Sequence, residues 1–252
     1  MKICTISDIH GRVIWKEFAD IKFLLTATEE TVSDGNFVPQ YFKYVFIGDF
    51  VDSFTLSNEV IEKNLLEIIR FKKLYPEYVE LLWGNHDVNY FVNKPWNKME
   101  GYVSGYRAEA HHNLFEIFDK NKELFKVAYQ KNNHIFSHAG IHFGWYHFIF
   151  TKAIKEYPEF KNMSIAEQLN TAFDYNIKCL HDIDWYRGGH QKQGGPFWCS
   201  KDLLWNKPLK YTHQYVGHTP LDNVVVRKIN ESTTITFIDV LHKKKAFYTV
   251  II

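Results

Sequence analysis

A repeated junction constrains this chain more than any other feature. Short apolar segments with strand character end, one after another, in glycine, aspartate, asparagine or histidine. Residues 2–7 run into Ser7-Asp8-Ile9-His10-Gly11, residues 44–48 into Gly48-Asp49-Phe50-Val51-Asp52, and residues 79–83 into Gly84-Asn85-His86-Asp87. Residues 134–137 lead to Ser137-His138-Ala139-Gly140, and residues 214–216 to Gly217-His218-Thr219-Pro220. Turn chemistry alone favours Gly, Asn and Asp, but it does not explain the accompanying histidines. Ligands of α/β sheets gather beyond the carboxyl ends of the strands, so five such junctions point to one shared site.

The segments between the junctions set the fold class. Residues 13–28 carry helical spacing through Ile14, Phe18, Ile21 and Leu25. Ser57 is placed to cap a helix with apolar Val60, Ile61, Leu65, Ile68 and Ile69. This alternation predicts an α/β fold with a partly parallel sheet. Residues 89–131 read as mostly helical, and Ser164-Ile165-Ala166-Glu167 reads as a capping box for a helix running to about Leu180. From Lys210 onward the chain is strand-rich, at 214–216, 224–229, 233–238 and 245–252. A second sheet packed on the first is expected, a β-sandwich with helices outside. Segments near 89–131 and 143–205 would then cap the site of a single domain, 1–252.

Composition narrows the partners. Thirty Lys and Arg against 29 Asp and Glu give a net charge of +1, so no global field draws in nucleic acid or an anionic membrane. Aromatic residues make up 17% of the chain, and those in strand segments (Tyr41, Phe42, Tyr44, Phe46) read as core. Cys4, Cys179 and Cys199 form no CxxC pair, which points away from a disulfide framework or a structural zinc site. Met1 leads directly into a strand, and no apolar run approaches the ~18 residues of a membrane span. A soluble, cytoplasmic protein is expected.

DxHG, GDxxD, GNHD, SHAG and GHT, in that order from residue 7 to 219, resemble the calcineurin-like metallophosphoesterase superfamily. The resemblance implies a four-layer αββα sandwich flanked by helices, with helical cap insertions. It also implies two metal ions. Asp8, His10 and Asp49 would bind one, Asn85, His138 and His218 the other, and Asp49 would bridge them. A hydroxide shared by the metals would attack phosphorus, His86 would protonate the leaving oxygen, and Asp52 would orient His86. Oxygen and imidazole donors without thiolate suit manganese first, with iron, zinc or nickel as alternatives.

Within the superfamily, Pro220 stands where nuclease-like and purple-acid-like members carry a second histidine. The chain therefore resembles the branch of phosphoprotein phosphatases and symmetrical diadenosine tetraphosphate hydrolases. It departs from that branch at Ser53, where an arginine that contacts the substrate phosphate is typical. Arg187, with Asn85, is expected to bind phosphate instead, while Arg12 and Arg107 read as surface arginines. Residues 188–198 read as a loop over the site. His111, His112, His142 and His147 lack motif context and read as surface or core residues. A phosphorylated substrate is implied, with a Ser/Thr phosphoprotein phosphatase as the leading reading. A dinucleoside polyphosphate hydrolase and a catalytically silent scaffold stand as alternatives.

Overall fold

The computed structural model describes residues 1–17, 42–91, 103–244 and 247–252. Its described strands form two five-stranded sheets. The first sets β1 (Lys2–Ile6), β2 (Phe42–Ile47), β3 (Val79–Leu82) and β4 (Phe125–Lys126) side by side in parallel. The second contains β5 (Ala128–Lys131), β6 (His134–Ser137), β7 (His213–Val216), β8 (Val225–Asn230) and β9 (Thr233–Phe237). Here β6, β7 and β9 are parallel, and β5 and β8 are antiparallel edges. The last strand, β10 (Tyr248–Ile251), returns to the first sheet antiparallel to β1.

Alternation along the strands makes the layers. Val45 and Ile47 of β2 face the second sheet and pack with Leu82, Phe136, Tyr215 and Ile238. Tyr44 and Phe46 point the other way, into the cluster that holds α1 (Asn58–Leu74). Apolar residues of α1 recur at Ile61, Leu65, Ile68 and Ile69, one helical stripe, and all four are buried. Each such side chain contributes roughly 1.5–3 kcal/mol. On the far side, Leu204 of α5 (Lys201–Asn206) covers Val216, Ile235 and Phe237. Helix, sheet, sheet and helix follow one another, which is the αββα arrangement expected.

Four local expectations change. Val13–Glu17 is a 3₁₀ turn around buried Trp15, and the rest of 13–28 lies outside the described residues. Among the described residues of 89–131 the helical reading holds for α2 (Asn85–Phe91) and α3 (His111–Asp119) and fails from Phe125, where β4 and β5 follow. Phe125, Val127 and Tyr129 alternate with period two there, a strand pattern. Between those strands the chain crosses from one sheet to the other, and Asn170 Oδ1 accepts the Val127 and Ala128 amides at 2.8 and 3.1 Å. The capping box of α4 (Ile165–Asp174) forms as expected, but the helix stops before left-handed Asn176, and Lys178–His181 is a separate turn. Ser57 occupies the N-cap position of α1 without a side-chain capping bond. No described helix is long and apolar enough to cross a membrane.

Candidate metal centre

All five junctions meet at one end of the sandwich, beyond the carboxyl ends of β1, β2, β3, β6 and β7. The backbone there is unusual. Asp8, His10, Asp49, Asp52 and His218 all adopt positive φ, between 47° and 66°. For non-glycine residues this left-handed region costs on the order of 1 kcal/mol each. Two glycines admit the acids: a Cβ on Gly84 would collide with the Asp49 carboxylate, and one on Gly217 with that of Asp8. Backbone bonds then lock the loops together, with His10 N–H donating to Asp49 O at 2.8 Å and Gly217 N–H to His138 O at 2.9 Å.

Two clusters of donor atoms result, His10–Asp49–His86 and Asp49–His138–His218, and Asp49 is common to both. Asn85 Oδ1 joins the second, 2.7 Å from His138 Nε2 and 2.9 Å from His218 Nδ1. Asp8 departs from the expected set and belongs to neither cluster. Its carboxylate accepts the Ser7 hydroxyl and the His218 backbone N–H (3.0 and 3.2 Å), tying the first motif to the fifth. In its place His86 stands in the first cluster, with Nε2 3.8 Å from Asp49 Oδ2.

The hydrogen bonds behind the rings fix where the lone pairs point. His10 Nδ1 donates to Val51 O and His138 Nδ1 to Ile47 O, both at 2.9 Å. Burial holds each ring's pKa down at about 3, so each is neutral with its lone pair on Nε2. His138 Nε2 therefore faces Asn85 Oδ1, an acceptor against an acceptor, and lies 3.4 Å from Asp49 Oδ2. His218 Nε2 is buried with no hydrogen-bond partner. Burial, then the neighbouring acids, pushes the Asp8 and Asp49 carboxyls well up. Among the described residues, histidines alone approach the Asp49 carboxylate within ion-pair distance. A cluster of oxygen and imidazole donors whose central carboxylate has no lysine or arginine within ion-pair distance among the described residues fits metal ions held by oxygen and nitrogen.

His86 has a different support. Its Nδ1 meets Asp52 Oδ2 at 2.7 Å, a carboxylate rather than a carbonyl. Asp52 Oδ1 also accepts the Tyr90 hydroxyl at 2.5 Å, and the Arg107 N–H donates to that hydroxyl at 2.9 Å. Tyr90 escaped the sequence reading, although it lies one helical turn after His86 on α2. Asp87 escaped it too: it accepts the Asp49, Phe50 and Gly84 amides at 2.8–2.9 Å and so clamps the second motif to the third. Arg187 lines the cavity over the clusters, with Arg12, Trp198 and Asp239, and so does Ser53. Residues 188–198 contribute Gly188 and Trp198 to its wall. His142 has a structural place, capping the turn at Phe143–Trp145 through Nδ1.

Comparisons with known proteins bear on the family. The calcineurin-like phosphoesterase family profile matches residues 1–241. Human serine/threonine-protein phosphatase 5 is 32% identical over 99 residues, 39% of this chain and 18% of that protein. A serine/threonine-protein phosphatase of Caenorhabditis elegans is 27% identical over 187 residues, 73% of this chain and 33% of its own length. The matches thus span a third or less of these relatives. A cold-active protein-tyrosine phosphatase from a psychrophilic Shewanella shares the fold, with TM-score 0.50 and 19% identity over 96% of this chain and 72% of that one. With its family profile matched over almost its whole length, the chain belongs to the calcineurin-like phosphoesterases.

Proposed function

We propose that the chain is a binuclear metal-dependent phosphatase that hydrolyses phosphomonoesters, with phosphoserine and phosphothreonine proteins as substrates. The observation that carries this reading is the meeting of Asn85 Oδ1, His138 Nε2 and His218 Nδ1 beside Asp49, whose carboxylate has only histidines within ion-pair distance among the described residues. On the sequence pattern, Asp8, His10 and Asp49 would hold one cation and Asn85, His138 and His218 the other, with Asp49 shared. Manganese is the first choice. Bound cations would supply Lewis acidity toward the phosphoryl oxygens and an activated water.

The chain's own residues do the rest. Asp49 is placed between the clusters, where one carboxylate can serve both. His86, backed by Asp52, would donate a proton from Nε2 to the leaving oxygen. Tyr90 holds Asp52 in place from the other side. Segments near 89–131 and 143–205 are read as the cap: they bring Val103, Ser104, Ile183, Arg187 and Trp198 to the cavity wall.

The test is phosphate release from p-nitrophenyl phosphate, a phosphoserine peptide and diadenosine tetraphosphate, with manganese, nickel, zinc or iron. Release that depends on metal, and that favours the phosphopeptide, is expected. A folded sample inactive with every metal would sink the chemistry. Faster cleavage of the dinucleotide would leave the chemistry standing and overturn the substrate.

A further inference from the structure

The cavity above the two clusters has a volume of about 740 Å³, and two arginines from separate segments line it. Arg12 follows the first motif directly. Its Nη1 donates to the carbonyl oxygens of Asp8 and Ile9 at 3.3 and 3.4 Å. Its own carbonyl accepts Nδ2 of Asn64, a residue 1% exposed that also accepts the Trp15 indole N–H at 2.9 Å. Arg187 is tethered to a different segment. Its Nη2 donates to Thr219 Oγ1 at 2.5 Å, one residue past His218. One guanidinium thus hangs from the segment carrying Asp8 and His10, and the other from the segment carrying His218.

Asp239, just beyond β9 and 3% exposed, lines the same cavity. The Leu221 N–H holds its carbonyl at 2.8 Å, and His242 Nδ1 approaches its carboxylate at 3.9 Å; the charges of both guanidiniums act on that carboxyl from beyond ion-pair distance. Two cations therefore share a cavity wall with one buried acid beside the candidate metal centre. A guanidinium presents five N–H donors in a fork that matches phosphate oxygens, and each tether engages one of its nitrogens. Arg107 is built for something else. Its Nη1 bonds Asn58 Oδ1 at 2.7 Å and its Nη2 bonds the Ser53 carbonyl, so it braces the loop before α1. It is absent from the described lining of the cavity.

We propose that Arg12 and Arg187 form a two-sided clamp for the phosphoryl group, and that Asp239 is its internal counter-ion, competing with phosphate for the two guanidiniums. Arg12 thereby serves in binding, and neutral Ser53 needs no cationic replacement in its own loop. The clamp rests on the phosphoesterase reading and specifies how that site grips its substrate.

Binding of inorganic phosphate to the manganese-loaded full chain, followed by calorimetry, tests it without requiring turnover. Arg12→Gln is expected to weaken phosphate about 10- to 100-fold, the range of a charge-assisted hydrogen-bond pair. Arg12→Lys should fall between it and the parent, since an ammonium keeps the charge and loses the fork. Arg107→Gln should bind within about twofold of the parent, and Asp239→Asn should bind about three- to tenfold tighter, because the competing charge is gone. Arg12→Gln with parental phosphate affinity, or with manganese lost in parallel, would overturn the clamp. Weaker binding by Asp239→Asn would overturn the counter-ion. A parent that binds phosphate through Arg12 but hydrolyses no ester would fail the proposed function and leave the clamp intact; a parent that binds no phosphate would remove both.

Discussion

Two clusters of buried charge sit toward opposite ends of the first sheet, and they are built on different principles. Where β2 and β3 begin, Glu80 is 4% exposed and meets Lys43 at 2.8 Å, Lys126 at 2.9 Å and Lys72 at 3.6 Å. Lys72 also donates to the carbonyls of Val79 and Pro76, at 2.6 and 2.9 Å. Burial alone would raise the Glu80 carboxyl, but hydrogen bonds from Lys43 and Lys126 outweigh it and hold the pKa below its ordinary value. Where the same strands end, Asp49 is faced by histidine lone pairs and by other acids, and burial leaves its carboxyl well above the usual range. The first cluster closes within the chain. The second leaves Asp49 with histidines alone within ion-pair distance among the described residues. A buried charge with its partners present argues for structure, and one without them argues for a ligand.

Removing the central acid of each cluster should separate the two. Asp49→Asn is expected to cut metal-dependent phosphate release on the order of 10³-fold, about 4 kcal/mol of barrier. It should also abolish any rise in melting temperature on adding metal. Without metal, the variant should melt no lower than the parent, because an uncompensated acid has been neutralised. Glu80→Gln should behave in the opposite way. Stranding three lysines around a neutral amide costs about 3 kcal/mol in urea unfolding, while the folded variant keeps the parent's kcat. A metal-free Asp49→Asn that unfolds as readily as Glu80→Gln would erase the distinction.

The two clusters also differ in how far the sequence discloses them. Asp49, Asn85, His138 and His218 each follow a strand within three residues, so short motifs locate them and strand order brings them together. Glu80 and its lysines come from β2, β3, β4 and α1, and no local spacing announces such a meeting. Arg12 and Arg107 illustrate the same limit. Both read as surface arginines, and tertiary contacts alone send one into the cavity and the other to the Ser53 carbonyl. The strands at Phe125–Lys126 and Ala128–Lys131 were obscured by the helical segments before them. Asp8 carries the expected motif, yet its carboxylate turns toward the His218 amide.

Tyr90 offers a finer test of the open cluster, because it acts through Asp52 and touches neither metal ligands nor substrate in this reading. Tyr90→Phe is expected to lower kcat on a phosphoserine peptide about tenfold, the equivalent of one hydrogen bond to a charged group. The loss on p-nitrophenyl phosphate should be smaller, since nitrophenolate leaves with little need of a proton. Equal losses on both substrates would reduce Tyr90 to a packing residue and detach it from His86.

The smallest expected effect concerns a histidine that is satisfied without metal. His142 Nδ1 accepts the Gly144 and Trp145 amides at 3.1 and 3.3 Å, which requires a neutral ring. Burial, with the nearby charge of Lys207, lowers its pKa from 6.5 to about 4. The unfolded chain takes up that proton below about pH 6.5 and the folded one does not, so this stability is full above 6.5 and is lost as pH falls toward 4. Asparagine can accept the same two amides without titrating. In metal-loaded protein, His142→Asn should therefore match the parent at neutral pH and exceed it by about 1 kcal/mol near pH 5.5, after allowance for solvent screening. Parallel stability curves from neutral pH down to about 5.5 would show that the cap does not depend on the ring being neutral, and His142 would then no longer count with the closed, self-sufficient part of the molecule.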